Sequence, residues 1–114
     1  MPAEPTQRDV WFADLDPVQG HEQGGRRPVI VLSVDALSER GLAVVMPTTT
    51  TDRGSPLHLL LEPPEGGLRE RSFALPEMVR SIATSRLVAR RGSVRPSTHV
   101  ELVRRLRVIT QPTS

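Results

Sequence analysis

The chain has no cysteine, no lysine and no tyrosine, and its aromatic residues are limited to Trp11, Phe12 and Phe73. Without cysteine there is no disulfide framework and no thiolate zinc site. Three scattered histidines, His21, His58 and His99, do not make a dedicated zinc site either. The acidic residues are read as offering no Asp-x-Asp cluster of the kind that would hold magnesium, so metal-dependent nuclease chemistry is disfavoured and neither a metal nor a cofactor is expected. Gly20 to Gly25 does not lead into a helical pattern as a phosphate-binding loop must, and the lysine of such a loop is missing, which disfavours nucleotide hydrolysis. No apolar run approaches the roughly 18 residues of a membrane span. The start of the chain lacks the basic and apolar regions of a signal peptide, so a cytoplasmic location without a membrane partner is expected.

What is present suits one domain. At 114 residues the chain can build a modest core, and with so few aromatics that core must come from Val, Leu, Ile and Ala. Residues 1–7 hold two prolines and no periodicity and are expected to form a disordered tail, leaving a single domain over 8–114. The formal net charge of +2 conceals an asymmetry: residues 1–79 carry seven Arg against twelve acids, residues 80–114 eight Arg against Glu101 alone. The basic C-terminal third suits a polyanionic partner and equally a solvated face.

Apolar runs bounded by Gly and Pro predict strands over 10–15, 29–33, 42–46, 57–61 and 72–75, with a short polar strand over 90–94. Pro28 is expected at the first position of its strand, where proline is tolerated. Residues 35–41 read as one helical turn closed by Gly41. Pro96 opens the one convincing helix, with Ser97 or Thr98 as its cap, Glu101 completing a capping box, and Val100, Val103, Leu106 and Ile109 as its apolar stripe. Such short strands with one terminal helix suggest a small barrel or curled sheet.

Two stretches carry chemistry. The loop from Asp16 to Pro28 is longer than a tight turn needs and holds His21, Glu22, Arg26 and Arg27; such loops are often functional. Thr48 to Thr51 follows an apolar strand and offers hydroxyls. The bland readings are a solvated arginine pair and a β-favouring turn segment. The two together favour function, because a hydroxyl at one strand end and a forked guanidinium at another strand start can converge on one phosphate.

Three motifs in order carry a resemblance. Trp11-Phe12-Ala13-Asp14-Leu15-Asp16-Pro17 leads to Gly20-His21-Glu22-Gln23-Gly24 and Arg27-Pro28-Val29; Val45-Met46-Pro47-Thr48-Thr49-Thr50 follows; Ala74-Leu75-Pro76-Glu77-Met78-Val79-Arg80-Ser81-Ile82 closes the set. Together, over about residues 8–110, they resemble the MazF/PemK (Kid) family of type II toxin–antitoxin endoribonuclease toxins. The resemblance implies a mainly β fold with a C-terminal helix (α+β), a small Src-homology-3-like, CcdB/MazF-like antiparallel β-barrel. It also implies metal-independent, sequence-specific cleavage of single-stranded RNA, with mRNA as the expected target. A homodimer, a cognate antitoxin and only indirect DNA binding through that antitoxin follow in the same way.

By motif position, Arg27 and Thr49 match the family's catalytic Arg and Thr. His21, Glu22 and Glu77 stand as candidates for a general base or an RNA contact, and Gln23, Arg26, Thr50, Arg53, Arg80 and Arg86 as RNA-binding residues. The chain departs from the family pattern in three places: Arg8-Asp9 lacks the Gly that commonly precedes the acid, Leu75 stands where some members have a functional Arg, and Met78 replaces the usual Gln after the acidic residue. The alternatives are a non-enzymatic CcdB-like toxin that binds DNA gyrase, and an inactive RNA-binding paralogue. The first has no need of Arg27 and Thr49; cleavage of RNA in vitro separates the second from the enzyme.

Overall fold

The computed structural model describes residues 4–113. Seven strands run β1 (Asp9–Asp14), β2 (Arg26–Val31), β3 (Leu42–Thr49), β4 (Leu59–Leu61), β5 (Ser72–Ala74), β6 (Arg80–Ala83) and β7 (Leu87–Ser93), with a short helix α1 (Asp35–Ser38) and a C-terminal helix α2 (Pro96–Thr110). The sheet order is β4-β5-β3-β2-β1-β7, with β6 also pairing β3, and every pairing is antiparallel. The sheet curls without closing, which is the mainly β fold with a C-terminal helix that the sequence implied.

Alternation along the strands divides the interior in two. Val10, Ile30, Leu32, Met46, Ala74 and Leu102 of α2 pack on one side. Ala13, Val29, Val31, Ala43, Val45, Ile82 and Leu87 pack on the other, with Trp11 against them. Successive residues of a strand face opposite sides, so the near-continuous apolar runs of β2 and β3 are those of strands covered on both faces. Leu75 is fully buried as well, which accounts for an apolar residue where some relatives carry Arg.

Two strands start earlier than the apolar runs indicated. β2 begins at Arg26, three residues inside the expected loop, because its backbone pairs Arg26 and Arg27 with Asp14 and Ala13 whatever the side chains. Pro28 is thus its third residue, opposite Phe12. β7 begins at Leu87, and β6, which no apolar run announced, pairs with the first half of β3. Leu57 and His58 lie outside β4. The turn at α1 is as expected, with Gly41 at φ 82 and its N–H bonded to the Ser38 carbonyl.

Part of the stretch expected to be a disordered tail is held against the sheet. Residues 1–3 lie outside the described residues, whereas Thr6 bonds Asp9 through both its N–H and its hydroxyl, and the Gln7 side chain reaches the Leu32 carbonyl at 2.9 Å. Arg8 takes φ 79, a left-handed conformation that favours glycine; it occupies the position immediately before the acid, where the family pattern has Gly.

Helix α2 also corrects two expectations. Its N-cap is Arg95, without a side-chain cap, and Thr98 donates its hydroxyl to Glu65 instead. Glu101 is held by Arg104 and Arg105 at 2.7–3.0 Å, so no capping box forms. Val100 is 66 % exposed and Ile109 43 %, while Leu102 is fully buried. The core-facing row is Thr98, Leu102 and Leu106, spaced by four rather than three. Both rows share Leu106, and the bond from Thr98 to Glu65 turns the helix to the second.

Candidate active site

The central cleft follows from two prolines. Pairing between β2 and β3 ends at Val29 opposite Pro47, and neither Pro28 nor Pro47 has an N–H to extend it. Beyond that point β3 pairs with β5 through Thr48 and Thr49. The start of β2 and the end of β3 therefore part, and an open cleft of about 590 Å³ lies between them, with Arg27 and Pro28 on one wall and Thr48 to Thr51 on the other. Arg26, Gln23 and Arg53 also line it.

Neighbouring threonines do different work. Thr48 is buried and donates its hydroxyl to the Pro28 carbonyl at 2.8 Å, tying the two strands where their backbone pairing has ended. Thr49 Oγ accepts the Thr51 N–H at 3.2 Å; its own proton has no acceptor among the described residues. Thr49 therefore keeps a hydroxyl able to donate to a ligand, as do Thr50 and Thr51 beside it in the cleft lining.

Arg27 is fixed from behind. Its Nε donates to the Gly24 carbonyl at 2.7 Å and Nη1 to the Thr48 carbonyl at 3.1 Å, across the parting strands. Both partners are neutral, so the positive charge remains for a ligand. Burial and then the charge of Arg53 lower its pKa, while Asp16 works in the opposite direction; the guanidinium stays protonated at neutral pH. At the mouth, Arg53 Nη2 donates to Gln23 Oε1 at 2.8 Å and ties the long loop to the segment after β3.

The remaining site candidates separate from this cleft. His21 and Glu22 are exposed in the long loop and do not line it; Glu22 Oε1 accepts the Gln19 N–H at 2.8 Å. Glu77 lies beyond β5, where its carboxylate pairs with His58 Nε2 at 2.7 Å. It is thus committed to a nearly buried histidine rather than to the cleft. Arg80 donates to the Leu15 carbonyl at 3.2 Å and Arg86 to the Asp16 carbonyl at 2.6 Å. These two clamp the entry of the long loop instead of lining the groove. Asp14 and Asp16 do form an Asp-x-Asp pair, contrary to the sequence reading, and accept the Asp16 and Gly25 N–H groups respectively.

Several cleft residues were not singled out from sequence: Phe12, Arg69, Glu70, Ser72 and Arg91. The arginine-rich character of 90–94 was visible, but not that Arg91 turns toward the cleft. Five arginines, at 26, 27, 53, 69 and 91, face one carboxylate, Glu70. Arg26 sits 3.8 Å from Asp14 with both side chains exposed, a pairing too weak to neutralise either. Such a groove attracts a polyanion and presents forked donors to its phosphates.

Comparison with known proteins agrees with this geometry. Residues 6–110 match the model of the PemK-like, MazF-like toxin of type II toxin-antitoxin system. The Escherichia coli endoribonuclease toxin MazF is 34 % identical over 94 residues, 81 % of each chain. Among solved structures, MazF of Deinococcus radiodurans superposes with a TM-score of 0.85 at 28 % identity, over 94 % of this chain and 96 % of that one. A MazE–MazF complex from the same organism gives 0.77 at the same identity and coverage. Cleft, motifs and relatives agree: the chain belongs to the PemK-like, MazF-like toxin family of type II toxin–antitoxin systems.

Proposed function

We propose that this protein is the toxin of a type II toxin–antitoxin pair and acts as a metal-independent, sequence-specific endoribonuclease on single-stranded RNA, mRNA above all. The observation that carries the reading is the facing of Arg27 and Thr49 across one cleft whose arginines are largely without carboxylate partners. The name of the Escherichia coli relative, endoribonuclease toxin, supports the same activity.

RNA supplies its own nucleophile. The 2′-oxygen bonds to the adjacent phosphorus as its proton leaves. The bond from phosphorus to the 5′-oxygen breaks, and that oxygen takes up a proton. The products are a 2′,3′-cyclic phosphate and a 5′-hydroxyl. Negative charge gathers on the non-bridging oxygens of the pentavalent intermediate, and fixed donors aimed there lower the barrier. Arg27, already held by two carbonyls, needs no reorganisation to donate its remaining N–H groups. Thr49 adds its hydroxyl from the opposite wall. Single-strand preference follows because bases are read on their edges only when unstacked.

The MazE–MazF complex of the Deinococcus relative supports a cognate antitoxin as the natural partner. An acidic antitoxin segment laid in the arginine-lined cleft would exclude RNA. Action as a homodimer in the cytoplasm completes the reading. Purified protein should cut single-stranded RNA in excess EDTA and spare an oligonucleotide with deoxyribose at the cut site. Loss of activity in EDTA, or cutting of the deoxy substrate, would overturn the mechanism. Gel filtration with light scattering reads the dimer.

A further inference from the structure

One part of the cleft does no work in that chemistry. Pairing of β1 with β7 runs Val10 to Gly92, then Trp11 to Arg90, leaving Arg91 as the extra residue of a β-bulge. A bulge turns its extra side chain away from the regular alternation, and bulges gather beside active sites. Here the Arg91 guanidinium lies over the Phe12 ring, 5.0 Å from its centroid. Arg91 has no carboxylate partner among the described residues, unlike its neighbour Arg90, which pairs with the buried Asp9 at 3.2 Å. Phe12 and Arg91 both line the cleft that holds Arg27 and Thr49.

A close backbone contact fixes this arrangement. A β-carbon on Gly67 would collide with the Arg91 carbonyl, and one on Gly92 would lie 2.8 Å from Gly66 C and Gly67 N. The loop at 66–67 therefore rests directly on the bulged strand, as only glycine allows at these positions. Arg69, two residues on, lines the same cleft.

We propose that Phe12 and Arg91 form a stacking platform for one nucleobase of the RNA strand, next to the phosphate held by Arg27, with Arg69 meeting a flanking phosphate. The proposal rests on the reading of the cleft as an RNA groove and adds to it a base-binding subsite. Unstacked RNA bases stack on aromatic rings and on guanidinium planes. A guanidinium already laid over a ring presents its outer face as such a plane, with little rotamer freedom left to lose on binding.

The test is an abasic scan of a short RNA spanning the protein's own cut site, with wild type, Phe12→Leu, Phe12→Trp and Arg91→Ala each checked for folding by thermal melting. Removing the base at one position near the cut should lower wild-type kcat/KM by about tenfold, mostly through KM. Phe12→Leu and Arg91→Ala should lose a similar factor on intact RNA and lose nothing more when that base is absent. Phe12→Trp, which keeps a stacking face, should retain the loss on removal of that base. An abasic profile unchanged by Phe12→Leu overturns the platform, as does an Arg91→Ala loss that is the same with and without the base, which would make Arg91 a phosphate contact only. Wild type that cuts no RNA would instead overturn the nuclease reading itself, and the platform with it.

Discussion

The arginines of the cleft and those of helix α2 offer a contrast within one molecule. Around α2, Arg95 lies 3.0 Å from Glu65, and Arg104 and Arg105 share Glu101. Arg105 also donates to the carbonyls of Pro56, Leu57 and His58. In the cleft, Arg27 is held by carbonyls, Arg53 by an amide oxygen and Arg91 by a ring. The first set is paired with carboxylates of the same protein; the second is equally well positioned but has neutral partners. Position without neutralisation is what a phosphate site requires. The basic C-terminal third is thus largely structural, and of its eight arginines Arg91 alone lines the cleft.

The sharpest way to break this contrast is Arg27→Ala. Loss of one preorganised donor at an oxyanion typically costs about 10²–10³ in rate, and a drop at least that large is expected with the protein still folded. Arg27→Lys should not restore activity, since one ammonium on a flexible stem cannot reproduce the fork that reaches Gly24, Thr48 and phosphate together. Initial rates on single-stranded RNA, with melting curves beside them, check both. Wild-type rates in either variant would remove Arg27 from the site.

The threonine pair gives the next test. Thr49→Val should lower the rate roughly tenfold to a hundredfold, the value of about 1.5–3 kcal/mol for a hydrogen bond to a charged group, with little change in stability. Thr48→Val should do the reverse. It leaves the buried Pro28 carbonyl without its donor, a cost of about 1–3 kcal/mol in stability, while the hydroxyl facing the cleft is retained. Denaturant titration and RNA kinetics on the same preparations separate the two; matching profiles would dissolve the division of labour between them.

On the helix side, Glu65 should matter to stability and not to cleavage. Burial works to raise its carboxyl pKa, but hydrogen bonds from Thr98, the Arg95 N–H and the Arg95 guanidinium outweigh it and hold the group below the usual carboxylate value. A lowered folded-state pKa stabilises the protein above the unfolded carboxyl pKa of about 4.3, and that contribution is lost as pH falls through the folded value. Glu65→Gln should lower Tm by roughly 3–8 °C near neutrality. The gap from wild type should start to narrow as pH falls below the unfolded value of about 4.3 and close only below the lower folded value, where both carry a neutral group. A gap constant across that range would refute the carboxylate's role.

How far the sequence revealed this depends on whether a feature is local. That Arg27 and Thr49 would line one cleft was legible because each sits in a short motif that contains a proline, and those prolines end the pairing of β2 with β3. The capping box at Thr98 and Glu101 was misleading. Its spacing was right, but a carboxylate 33 residues away took the threonine and two arginines took the glutamate. Phe12 and Arg91 could not be joined from sequence, because a bulge between β1 and β7 depends on register across the sheet and leaves no local mark.

Glu77 gives the smallest expected effect. Its motif neighbourhood suggested a catalytic or RNA-contacting acid, yet the side chain bonds His58 Nε2 outside the cleft. The His58 side chain is 4 % exposed, so the carboxylate is the polar partner that this ring nitrogen needs in a nearly dry site. Glu77→Gln keeps an oxygen acceptor there and removes only the charge. Cleavage by the folded variant should stay within about twofold of wild type, while Tm falls slightly, because the bond changes from charge-assisted to neutral. A tenfold loss of rate at unchanged stability would move Glu77 from the side of the molecule that spends its charges internally to the side that keeps them for RNA.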